Sequence, residues 1–196
     1  MTRVPTALSD VEARVLGSLV EKSFLTPDQY PLSLNALVNA CNQKTSRDPV
    51  MEVSPEAVTA AIGTLFEKGF AVEQQGSRVT KYIHSAEKLS GPASKDLAVL
   101  AVLLLRGAQT AAEVRVRTER MCEWKDSAEV EAYLEGLAAG DPPMAARLPR
   151  GRYHHLSLGA PAGPTAPAPA PVAPDPSTAL RTEGRLAALE ARVAAL

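Results

Sequence analysis

A chain of 196 residues has room for one large domain or two small ones. A hydrophobic content of 45% is enough to build a core and excludes wholesale disorder, and an aromatic share of 4% means that the core is made of Ala, Leu and Val. With 21 Lys plus Arg against 22 Asp plus Glu, the net charge of −1 exerts no global pull on nucleic acid or an anionic membrane.

Residues 1–7 read as a loose terminus without an apolar leader, so secretion is not expected. Ser9 then opens a helix, with Glu12 three residues on as its capping-box partner and Val11, Val15, Leu16 and Leu19 at helical spacing. Pro27 and Pro31 interrupt the pattern. A second short helix starts after Ser33 and carries Leu34, Leu37, Val38 and Cys41. The stretch from Asn42 to Pro49 is a polar loop. Ser54-Pro55 starts a third helix, in which Val58, Ala61, Ile62 and Leu65 form the apolar stripe and Gly69 the stop. Phe70 and Val72 are expected on one face of a strand. Gln75-Gly76-Ser77 is a turn, and Val79, Lys81 and Ile83 share a face of the returning strand.

The order then repeats. Ser94 to Arg106 is a very apolar helix, ending at Gly107. Its core, Leu97 to Leu105, is nine residues long against the ~20 of a membrane span, so it is expected to be buried in protein and no membrane is involved. Thr110 and Glu113 form a second capping box. A further helix runs from about Asp126 to Gly140, and Met144 to Leu148 and Tyr153 to Leu158 flank a Pro149-Arg150-Gly151 turn. Two helix-helix-helix-hairpin units match the winged form of the helix-turn-helix domain. Between Ala160 and Pro176, seven prolines and six alanines make an extended linker. Leu186, Leu189, Val193 and Leu196 are then spaced as a heptad seam, which predicts that this helix pairs, either with its symmetry mate in a homodimer, the expected arrangement, or with a groove on the body.

The expected fold class is therefore mainly α with small β-hairpins (α+β). Two tandem winged helix-turn-helix domains occupy 1–90 and 91–159. A Pro/Ala-rich linker spans 160–178 and a C-terminal heptad helix 179–196.

Three stretches carry a family resemblance: Glu12 to Lys22; Thr26 to Leu37, continuing from Ala40 through Lys44 to Arg47-Asp48-Pro49-Val50; and Leu104 to Thr110 with Arg117, Arg120 and Met121. Over roughly residues 8–158 the chain resembles the YceH-like family, a group of uncharacterised bacterial proteins with tandem winged-helix domains. The resemblance implies the fold and no agreed activity. The second hairpin, Leu148 to His154, is shorter than the family's usual wing.

The chain holds few groups of catalytic type. His84, His154 and His155 do not stand at metal-ligand spacing with one another or with a Cys, no phosphate-binding Gly loop occurs, and no nucleophile motif follows either cysteine. No catalytic residue, cofactor or metal is expected, and the protein reads as a non-enzyme. Cys41 and Cys122 are expected as small buried hydrophobes in a reducing cytoplasm.

Two kinds of partner fit the sequence. The fold favours a DNA-associated regulator in which loops and wings hold phosphates. Lys44, Arg47, Arg78, Lys81, Arg115, Arg117 and Arg120 are the candidate contacts for nucleic acid or another partner. Arg106, Arg147, Arg150 and Arg152 add to the positive charge of the second unit. Against this, the third helix of that unit presents Asp126, Glu129, Glu131, Glu135 and Asp141 with no base between them. An acidic helix is repelled by a major groove, so the alternative is a protein-protein interaction module or adaptor with no nucleic-acid binding. Between Gly91 and Gly159 basic and acidic side chains number nine each, so mutual ion pairs with Glu113, Glu119 and Glu123 also account for the arginines.

Overall fold

A computed structural model describes residues 6–75, 79–91 and 93–159. The Pro/Ala-rich linker and the heptad segment lie outside the described residues.

Helix α1 (Asp10–Leu25) begins at the expected capping box: Glu12 N–H donates to Ser9 Oγ at 3.2 Å, and Ser9 N–H to Glu12 Oε2 at 2.6 Å. Its burial runs from Glu12 to Glu21 without a solvent-facing stripe. A helix inside one small domain would leave one face wet. Here α3 (Pro55–Glu67) packs on one side and α5 (Ser94–Arg106) on the other, so one helix serves both halves of the chain. Gly17 marks the α1–α5 crossing. A Cβ there would lie 2.8 Å from Leu105 Cγ and 3.2 Å from Leu104 Cβ.

Two strands escape a reading by alternation because they are only two residues long. β1 (Leu32–Ser33) leads directly into α2 (Leu34–Cys41), whose N-cap is Ser33. β1 pairs with β3 (Lys81–His84), which also pairs with β2 (Ala71–Gln74). The antiparallel sheet order is β1-β3-β2, with Leu32 opposite Tyr82 and Ala71 opposite His84. Val72 departs from expectation: Phe70 and Ala71 are buried, whereas Val72 is 48% exposed. Phe70 precedes the strand, where Gly69 at φ 73° has just reversed the chain, so period-two counting from Phe70 fails. A short helix, α4 (Glu87–Ser90), leads toward α5 and was not foreseen.

The second half repeats this order: α5, β4 (Gln109–Thr110), α6 (Ala111–Thr118), α7 (Ser127–Ala139), β5 (Ala145–Leu148) and β6 (Arg152–His155). Its sheet order, β4-β6-β5, is the same, with Gln109 opposite Tyr153. The structure is thus mixed α+β, with two three-stranded antiparallel sheets among the described residues. Leu16, Leu19, Leu37, Leu65, Leu100, Leu103 and Leu134, from both halves, belong to one hydrophobic cluster. No helix among the described residues is long and apolar enough to cross a membrane.

Candidate binding surface around α6

The polar loop from Asn42 to Ser54 is held rather than displayed. Asn42 clamps its far end, donating from Nδ2 to Val53 O at 2.8 Å and accepting from Val53 N–H at 2.7 Å. Arg47 anchors its middle. The guanidinium donates to Glu21 Oε1 at 3.1 Å and Oε2 at 2.8 Å, and to the Ala40 carbonyl at the end of α2. Its side chain is 0% exposed. Arg47 is therefore corrected from a ligand contact to a structural residue, because no face of the guanidinium is left for a phosphate. Asp48 N–H next donates to Leu105 O at 2.9 Å, which fixes the loop to α5.

Arg14, unremarked in the sequence, is the second buried cation here. It lies in the apolar run of α1, is 2% exposed, and donates to the Cys41 and Pro49 carbonyls. Burial, and then the neighbouring Arg47, hold its pKa below the usual arginine value. An arginine flanked by Ala13 and Val15 was the available signal.

The remaining candidates divide by place. Lys44 and Lys81 are exposed, on the loop and on β3, and their side chains make no hydrogen bond or ion pair among the described residues. Arg78 lies outside the described residues. Arg115, Arg117 and Arg120 come together along α6 and the turn after it. Arg117 pairs with Glu113 at 3.7 Å, and Glu113 also receives Arg152 at 3.5 Å. Glu119 and Glu123 pair with no cation among the described residues, so of the three glutamates expected to neutralise these arginines Glu113 is the one that does.

Val116, 63% exposed, stands between two depressions. One is a cavity of about 160 Å³ whose lining includes Glu21, Val102, Leu105, Arg106, Arg117 and Arg120. The other is a wider groove of about 370 Å³, lined by Arg115, Val116, Glu119, Cys122, Glu123 and Trp124. Trp124 is fixed there by a 2.8 Å hydrogen bond from Nε1 to Thr118 Oγ1 and by Lys95 over its ring at 4.8 Å.

The acidic helix α7 finds its bases elsewhere in the chain. Lys95 pairs with Glu129, and Arg147 reaches Glu135 at 3.3 Å and Glu131 at 4.0 Å. Neither α3 nor α7, each 13 residues long, contains Lys or Arg.

Neither cysteine is poised as a nucleophile. Burial pushes the Cys41 thiol up to about 11 and raises Cys122 as well, which disfavours thiolate. His155 is 2% exposed and burial lowers it to about 4, with His154 adding to the shift. Burial lowers His84 against the pull of Glu87. Among the described residues no three His, Cys, Asp or Glu side chains gather to hold a metal.

Residues 8–152 match the family model described as a protein of unknown function, DUF480. The chain belongs to the DUF480 family. Its relatives include a UPF0502 protein of Paraburkholderia phymatum, 48% identical over 161 residues, covering 79% of this chain and 69% of the relative. A UPF0502 protein of Burkholderia multivorans is 43% identical over 210 residues, covering 100% of this chain and 89% of its own length. One from Cupriavidus taiwanensis is 48% identical over 158 residues, covering 78% and 65%. These names carry no activity. They agree with the uncharacterised bacterial family to which the motifs pointed, and the DUF480 match covers the arginines of α6 as well as the Arg47 loop.

Proposed function

We propose that this DUF480 chain is a non-enzymatic, cytoplasmic tandem winged-helix protein that works by binding another protein, not by reading DNA. The absence of any basic side chain from α3 and α7 carries this reading. In a winged helix-turn-helix unit these third helices would enter the major groove, where Arg, Lys, Asn and Gln supply base readout and phosphate neutralisation. The outer positions of α3 are instead Glu56, Thr59, Ala60, Gly63 and Thr64, and those of α7 are Ala128, Glu131, Ala132, Glu135 and Gly136. The burial of Arg47 removes another phosphate contact. The heptad spacing of Leu186, Leu189, Val193 and Leu196 supports a homodimer.

A DNA-associated regulator is the second reading. It is favoured by Lys44 and Lys81, exposed and unpaired among the described residues. Fluorescence anisotropy of the full chain with a labelled mixed-sequence duplex, at low and at moderate salt, separates the two. The protein-binding reading expects no binding at either salt. Binding that falls steeply with salt, and is lost in Lys44→Gln and Lys81→Gln, would replace it with the regulator. Light scattering at micromolar concentration tests the dimer.

A further inference from the structure

The smaller of the two depressions has a chemistry that the reading above does not use. Its walls are apolar at Val102, Leu105 and Val116, and its charged lining is unbalanced. Glu21 is consumed by both guanidinium nitrogens of Arg47. That leaves Arg106, Arg117 and Arg120 against Glu119. Arg106 is half-buried, and its side chain makes no hydrogen bond or ion pair among the described residues. The carboxylate that pairs with Arg117 among the described residues, Glu113, lies at 3.7 Å, beyond a good hydrogen bond, and is not part of the lining.

We propose that this cavity binds a small organic anion, a carboxylate on a short apolar stem. Arg106 and Arg117 hold the carboxylate, and Val102 and Leu105 surround the stem. A planar guanidinium offers paired N–H donors that match a carboxylate in a two-pronged contact. Burial, and then the proximity of Arg117, disfavour the charge on Arg106; Glu21 and Asp48 oppose this and leave its pKa below the usual arginine value, so an anion beside the guanidinium favours its charged form. A volume of about 160 Å³ is below that of sites for drug-sized ligands and favours a stem of a few carbons. The site is independent of whether the body binds a protein or DNA.

Isothermal titration of the full chain with sodium hexanoate, at ionic strength held constant with sodium chloride, tests it. Hexanamide serves as the neutral comparator. Hexanoate is expected to saturate one site per chain and hexanamide to give no saturable heat. Arg106→Gln should weaken hexanoate by roughly tenfold or more, and Arg117→Gln should weaken it in the same direction. Arg147→Gln, on β5 and outside the cavity, should leave it unchanged. Far-ultraviolet circular dichroism and thermal melting establish that each variant is folded. Should Arg106→Gln fail to fold, Arg117→Gln and Val102→Phe, which fills the cavity, decide the question. No saturable heat with hexanoate, equal affinity for hexanamide, or unchanged affinity in the folded cavity variants would overturn the proposal.

Discussion

Arg47 and Glu21, 26 residues apart in the chain, meet through two parallel hydrogen bonds of 3.1 and 2.8 Å in the protein interior. The contact joins the loop after α2 to the last turns of α1. The next residue, Asp48, bonds the same loop to the end of α5. One short segment therefore ties together three helices drawn from both halves.

Arg47→Met should be strongly destabilising. It strands the Glu21 carboxylate in the interior and frees the Ala40 carbonyl, a loss of about 3–5 kcal/mol for a broken buried pair. Replacing both partners, Glu21→Leu with Arg47→Met, should recover a large part of that loss. Urea unfolding of the four proteins in the cycle measures the coupling. Purely additive single and double losses would show that the pair does not act as a unit.

Two glycine-to-alanine substitutions should act in opposite directions. A methyl group at Gly17 presses on Leu104 and Leu105, with the closest carbon at 2.8 Å. Overpacking of about 1–3 kcal/mol outweighs the roughly 1 kcal/mol that alanine gains in helix propensity. Gly63 lies on the exposed side of α3 with nothing within 4 Å of the added carbon, so Gly63→Ala should stabilise by up to about 1 kcal/mol. Thermal melts of the two variants give the comparison, and a stabilised Gly17→Ala would contradict the tight α1–α5 crossing.

His155 makes stability depend on pH. Its folded pKa of about 4 lies below the ordinary 6.5, so the unfolded chain binds the extra proton between these values. Its contribution is full above pH 6.5 and is lost as pH falls toward 4, a change of roughly 3 kcal/mol for a side chain this buried. Burial lowers His154 too, which adds to the slope in the same direction. His155→Gln should flatten the dependence of the unfolding midpoint on pH between 6.5 and 4. An unchanged slope would place the effect elsewhere.

Glu12 acts in a more acidic range. Burial alone would raise its carboxyl. Hydrogen bonds from Lys68, Thr64 and the Ser9 amide outweigh this and bring it down to about 2. The Lys68 Nζ–Oε1 distance is 2.6 Å. The stabilisation is present above the ordinary value of 4.5 and is lost as pH falls from there toward 2. Glu12→Gln should lose about 1–2 kcal/mol at neutral pH, by analogy with other charged hydrogen bonds. Its melting curve should converge on that of the unchanged protein as pH approaches 2.

The local signals in the chain were strong where the physics is local. Ser9 with Glu12, Ser54 with Pro55 and Thr110 with Glu113 mark helix starts because a cap needs only neighbours three residues away. The motifs that placed the chain among uncharacterised bacterial proteins were equally legible, and the DUF480 match bears them out. β1 and β4 were not legible. A two-residue strand has no alternation to detect and exists only because β3 and β6 offer it a free edge. The candidate surface was half legible: basic residues at 115, 117 and 120 stood out as a cluster, but the apolar walls that Arg117 and Arg120 share with Arg106 did not, nor did the separate groove that Arg115 lines.

The sequence by itself determined the order of the longer helices and the hairpins, their caps and the family, since each depends on residues close together or on a motif read whole. Only the tertiary structure decided what the charges do. Arg47 was indistinguishable from Lys44 in a polar loop until Glu21 and the Ala40 carbonyl closed around it. The acidic face of α7 was unpaired until β5 brought Arg147 beside Glu131 and Glu135. Side-chain charge is a property of the residue. Its availability to a partner is set by long-range packing, which decides whether another charge or carbonyl has already taken it.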